Sequence, residues 1–100
     1  MKKTITIKVN GNTIATKTTS REVNFVVVRK VTIERASQMV EYFKDKSSSH
    51  ATSKIKWANA LASGYLIIAM SSNLNTAQSA LNYEADFGKA EELSITSEIE

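Results

Sequence analysis

Three groups of side chains in this sequence have the types and spacing that could do chemistry. The first is His50, the only His, set among Ser47, Ser48, Ser49 and Ser53. A Ser–His nucleophile needs both members held by rigid elements and an acid that orients the His. A His inside a Ser-rich loop meets neither demand and reads as a solvated residue. No catalytic residue is assigned, and the chain is expected not to be an enzyme.

The second group is acidic: Glu84, Asp86, Glu91 and Glu92. Zinc would require Cys or several His, and the chain has no Cys and one His. A calcium loop of the EF-hand type with its Gly at Gly88 needs acids where Tyr83, Ala85 and Phe87 stand, so that template fails. The cluster reads as a solvated edge that discourages edge-to-edge pairing. No metal ligand is assigned. Gly11, Gly64 and Gly88 lie too far apart for a phosphate-cradling loop, so no cofactor is expected either.

The third group is basic. Lys8 and Lys17 fall on the polar face of an expected hairpin. Arg29, Lys30 and Arg35 surround a strand-to-helix junction. Lys44, Lys46, Lys54 and Lys56 flank the Ser run, and Trp57 follows directly. Cations beside an aromatic suit phosphate contact with base stacking. Yet no RNA-recognition-motif strand, Gly-x-x-Gly loop or helix-turn-helix is present. These nine residues are the candidate contacts for a partner, with a protein as the first expectation and nucleic acid as the alternative.

Charge is unevenly distributed. Through Trp57, twelve Lys and Arg stand against four Asp and Glu, a surplus of eight. From Ala58 onward, Lys89 alone stands against six acids, a deficit of five, which leaves the net +3. Such asymmetry suits an acidic partner, two halves that attract each other, or a self-contact that makes a homo-oligomer. The class expected is a small non-catalytic protein-binding module: a regulator, an inhibitor or an accessory subunit. A phage or mobile-element accessory protein fits that description. The absence of Cys suits a reducing cytosol. The N-terminal MKKTITIKV lacks the apolar run of a signal peptide, and no stretch is apolar enough to span a membrane.

These side chains need elements to position them. A chain of 100 residues is expected to form one domain with one core, stable by about 5–10 kcal/mol. Ile5, Ile7 and Val9 alternate with polar residues up to Asn10-Gly11, the strongest short hairpin signal. A two-residue loop there sets Ile7 opposite Ile14 and Ile5 opposite Thr16. Ile5, Ile7, Val9 and Ile14 then share one face, and Thr4, Thr6, Lys8, Thr13, Ala15 and Lys17 share the wet one. Phe25-Val26-Val27-Val28 is apolar on both faces and predicts an interior strand ending near Arg29-Lys30.

Ile33 to Lys46 predicts a helix capped by Thr32, with Glu34 in its first turn and Ala36, Met39, Val40 and Phe43 on its buried face. Ser47 to His50 reads as a loop. Lys54 to Ser72 holds Trp57 and the longest apolar run, Tyr65 to Met70, and is expected to centre the core. Helix, Gly64 cap and then strand is the preferred reading there. A hairpin at Ser63-Gly64 and one continuous helix are the rivals. Leu81 to Phe87 alternates, and a second hairpin is preferred, turning at Gly88-Lys89-Ala90 so that Leu93 meets Ala85 and Ile95 meets Tyr83. Its rival is a helix from Thr76 to Phe87, capped by Asn75 and closed by Gly88. Thr96 to Glu100 is expected to fray. The architecture predicted is α+β, an antiparallel sheet with one or two helices packed on one face.

Overall fold

A computed structural model describes residues 1–46, 50–88 and 90–100. Asn10 and Gly11 adopt φ of 52° and 81°, the pair of left-handed residues that a two-residue hairpin loop demands. They join β1 (Lys3–Val9) to β2 (Asn12–Thr19). The register differs from the simple expectation. Val9 faces Asn12 and Lys8 faces Thr13, but Ile7 faces Ala15 and Ile5 faces Lys17. Ile14 is the extra residue of a bulge. The bulge lets Ile14 and Ala15 both be buried, so Ala15 leaves the wet face to which the plain register assigned it. Lys17 also changes sides and joins the rim of the Ile5 face, while Lys8 stays opposite.

β3 (Phe25–Lys30) is the interior strand that its valines predict. It lies between β4 (Tyr65–Ser71) and β5 (Leu93–Thr96), antiparallel to both. Val26, Val27 and Val28 are each 0 % exposed. The other sheet has the order β2-β1-β6, where β6 is Glu98–Ile99. The fold is α+β, with two three-stranded antiparallel sheets and three α-helices among the described residues. Ile5, Ile7, Ile14, Ala15 and Val23 meet Val26 and Val28 in one cluster that joins the sheets. The centre of the core is therefore β1 and β3, and not Lys54 to Ser72. β4 is an outer strand, so most of its apolar run is only half-buried and Leu66 alone among its large side chains is buried.

α1 (Ile33–Phe43) begins as expected, with the Thr32 hydroxyl accepting from the Arg35 N–H at 3.1 Å. Ala36 is buried and Met39, Val40 and Phe43 are half-buried. The helix ends at Phe43 and not at Lys46. Lys44, Asp45 and Lys46 offer no apolar face to bury, and the Lys46 ammonium stands 4.5 Å from the centre of the Tyr42 ring. Of the loop expected at Ser47 to His50, residues 47–49 lie outside the described residues, and His50 stands at the start of the next helix.

α2 (Ala51–Ser63) then β4 is the preferred reading of the central stretch. Gly64 closes the helix at φ 84° and donates to Ala60 C=O at 2.7 Å. α2 also bonds to one outer strand of each sheet. The Asn59 amide donates to the Ile14 carbonyl of β2 at 3.1 Å, and one turn later Ser63 Oγ accepts from the Tyr65 N–H of β4 at 3.2 Å. Outer strands left bare invite pairing with other chains. A second cluster, Val31, Ala36, Ala60 and Leu66 with Trp57 and Ile68 packed against it, joins α1 and α2 to β4.

The second hairpin is overturned. Leu74–Ala85 is a helix, α3, capped by the Asn73 side chain, which accepts from the Asn75 and Thr76 N–H groups. The alternation that suggested a strand came from Tyr83 and Phe87, and these are 67 % and 73 % exposed. The inward side is made by buried Ala77 with half-buried Ala80, Leu81, Glu84 and Ala85 at helical spacing. Leu93 and Ile95 pair instead with Arg29 and Val27 of β3. The turn residue Lys89 lies outside the described residues.

The C-terminus is anchored where fraying was expected. Thr96 is buried and its hydroxyl donates to the Lys8 carbonyl. Thr6 and Glu100 exchange two backbone hydrogen bonds of 2.8 and 2.9 Å. The Glu98 carboxylate accepts from the Asn10 and Gly11 N–H groups at 2.7 and 2.8 Å, so it closes the first hairpin loop from the far end of the chain. Each such exposed bond nets about 0.5–1.5 kcal/mol, so Glu98→Ala is expected to cost about 1–2 kcal/mol. Urea unfolding reads this directly, and an unchanged midpoint refutes the anchoring role.

Candidate functional site

β3 passes directly into α1 through Val31 and the capping Thr32, so Arg29 and the first helical turn, with Arg35, sit close together. α2 brings Trp57 to the same place. The β3–β5 register sets Arg29 opposite Leu93, and this carries the preceding residue, Glu92, alongside. Arg29, Val31, Thr32, Arg35, Trp57 and Glu92 line an open cavity of about 320 Å³.

Its polar groups are incompletely matched. Arg29 Nη2 and Glu92 Oε1 are 3.8 Å apart, an ion pair but not a hydrogen bond. Arg29 Nε is buried and has no hydrogen-bond partner among the described residues. Among the same residues no carboxylate comes within ion-pair distance of Arg35. Two guanidinium groups and one carboxylate leave a positive balance, and the N-terminal end of α1 adds its partial positive charge. A guanidinium presents donors in a planar fork that matches an oxyanion. Trp57, half-buried against the second cluster, supplies an apolar wall.

The other expected contact residues are dispersed. Lys8 is engaged by Glu100 at 2.9 Å. Lys17 and Lys56 line a separate cavity of about 280 Å³ between β2 and α2, with Ile55 and Asn59. Lys30 is exposed and, as the next residue after Arg29 on a strand, points to the other side of the sheet. Lys44 and Lys46 lie beyond the far end of α1, and Lys54 is half-buried on α2. Of the nine, only Arg29 and Arg35 meet at the Trp57 cavity.

Comparison with protein families, curated proteins and solved structures finds no match to this chain.

Sequence reasoning missed Glu92 as a site residue, because it read as one of a solvated acidic group. Its approach to Arg29 depends on β5 pairing with β3, a long-range register that no local pattern carries. His50 lies at the start of α2, with its ring centre 5.7 Å from that of Phe43. Its neighbours Ser47 to Ser49 are outside the described residues. Among the described residues no three His, Cys, Asp or Glu side chains are grouped to hold a metal ion. No helix among them is long and apolar enough to cross a membrane.

Proposed function

We propose that this protein is a non-catalytic binding module of the cytosol, a regulator, inhibitor or accessory subunit, that grips an acidic segment of a protein partner at Arg29, Arg35 and Trp57. The observation that carries this reading is the buried Nε of Arg29, which has no hydrogen-bond partner among the described residues although the Arg29 side chain lines an open cavity walled by Trp57. A buried donor without a partner is costly, and a ligand oxygen repays that cost on binding. Arg and Trp are also among the residue types that dominate binding energy at protein interfaces once a partner desolvates them.

Nucleic acid is the alternative, since an Arg beside a Trp also suits a phosphate and a base. The dispersal of the other cations counts against it. A backbone track needs a continuous basic groove, whereas Lys8, Lys30 and the Lys44–Lys46 pair lie on different parts of the fold.

The test compares immobilised wild type with an Arg29→Met/Arg35→Gln variant in lysate of the native host, washed at low and then high salt. A defined protein that survives the high-salt wash on wild type and falls at least about tenfold on the variant supports the reading, since losing a desolvated charged contact is costly. Oligonucleotide binding is measured alongside. Affinity for nucleic acid that falls with salt at about −0.9 in log–log slope per phosphate on duplex, with no protein retained, overturns it.

A further inference from the structure

We propose that Glu92 is an internal stand-in for the ligand. The cavity takes an oxyanion borne on a protein segment, a carboxylate or a phosphate, which displaces Glu92 from Arg29 and lays its neighbouring atoms against Trp57. This rests on the protein-partner reading and names the chemistry of that site.

The argument starts from the distance. A well-made guanidinium–carboxylate pair forms two parallel bonds of about 2.7–2.9 Å. Glu92 reaches only one nitrogen of Arg29, at 3.8 Å, and leaves Nε without a partner. Glu92 ends the short helical turn Ala90–Glu92 and is followed at once by β5, so the pairing of Leu93 with Arg29 fixes its backbone. An oxyanion from outside has no such tether. Once Glu92 has swung outward and uncovered the buried Nε, the oxyanion can approach the fork in plane and satisfy Nε together with Nη2.

The side chains of Arg29 and Glu92 are 29 % and 28 % exposed, so both are reachable from solvent and Glu92 has room to swing outward. Arg35 flanks the same cavity with no carboxylate at ion-pair distance among the described residues. The stand-in also screens the site. While Glu92 neutralises Arg29, weak anions gain little, and only a ligand that adds contact with Trp57 and Arg35 repays the exchange.

The experiment is an NMR titration of the full chain with benzoate, phenyl phosphate and the neutral isostere benzamide, read at Arg29 Nε–Hε and the Trp57 indole N–H. Both anions are expected to move both resonances, and benzamide neither. Tighter binding of benzoate identifies an acidic side chain as the source of the oxyanion, and tighter binding of phenyl phosphate identifies a phosphorylated residue. Glu92→Gln removes the competitor and is expected to tighten both anions about two- to five-fold, the worth of an exposed ion pair. A residue that merely supports the fold cannot raise affinity when it is altered. Arg29 and Trp57 resonances that stay still, or affinity unchanged or weakened in Glu92→Gln, overturn the inference. Anion binding without partner capture defeats only the protein-partner reading, and capture without anion binding defeats only this one.

Discussion

Ile7→Ala is expected to remove about 2–5 kcal/mol of stability, a large share of the roughly 5–10 kcal/mol expected of a domain of this size. Ile7 is 0 % exposed. It stands on the middle strand of its sheet, in the cluster where the two sheets meet, and β1 is paired on both sides there, with Ala15 and with Ile99. Strands bonded on two sides cannot collapse easily into the space left by three missing carbons. The cavity term therefore adds to the lost transfer energy. Ile33→Ala is the control, because Ile33 is 71 % exposed at the start of α1 and should change stability by no more than about 0.5 kcal/mol. Urea unfolding of both variants gives the comparison, with an unchanged slope required for a clean reading. If the Ile7 variant loses no more than the Ile33 variant, the core is not where the two sheets meet.

The elements legible from sequence were those specified locally. Asn10-Gly11 dictates its loop through backbone sterics alone, Thr32 and the spacing of Ala36, Met39, Val40 and Phe43 dictate α1, and Gly64 marks the end of α2. What escaped was decided at a distance. The bulge at Ile14 is chosen by packing of β2 against the rest of the core, since the hairpin loop is satisfied with or without it. α3 escapes the sequence pattern because its aromatic residues, normally the best guides to a buried face, point outward, while Ala77 faces inward with half-buried Ala80, Leu81, Glu84 and Ala85. The C-terminal strand carries only Ile99 as an apolar mark, and its hold comes from Glu98 and Glu100 reaching β1 and its loop.

The site was half legible for the same reason. Arg29 and Arg35 are joined through a short junction, so their convergence follows from local structure. Glu92 approaches only through the long-range β3–β5 register. The uneven charge of the chain also finds part of its account here. Lys8 with Glu100, and Arg29 with Glu92, both join the basic first half to the acidic second half. Folding therefore neutralises some of the asymmetry that suggested an acidic partner. The Arg29 pair is the one held too long for a hydrogen bond, and so the one a partner can replace.

Trp57→Ala is expected to lower stability by about 2–3 kcal/mol, less than the roughly 3–5 kcal/mol of a fully buried aromatic, and to weaken partner binding at least tenfold. Both effects come from the same ring. One side packs on the cluster of Val31, Ala36, Ala60 and Leu66, but Trp57 is only half-buried there and is not at the centre of the core. The other side is open to the cavity beside Arg29 and Arg35. Trp57→Leu separates the two roles. Its branched side chain restores apolar contact with the cluster but offers no planar face to a ligand. Thermal unfolding is expected to place Leu between wild type and Ala, while the affinity of Leu stays close to that of Ala. If Ala costs the whole 3–5 kcal/mol and Leu recovers stability and binding together, Trp57 acts as core alone and the cavity loses its aromatic wall. If Ala binds poorly but melts like wild type, the ring contributes nothing to the α1–α2 packing, and the cluster around Ala36 and Ala60 must hold without it.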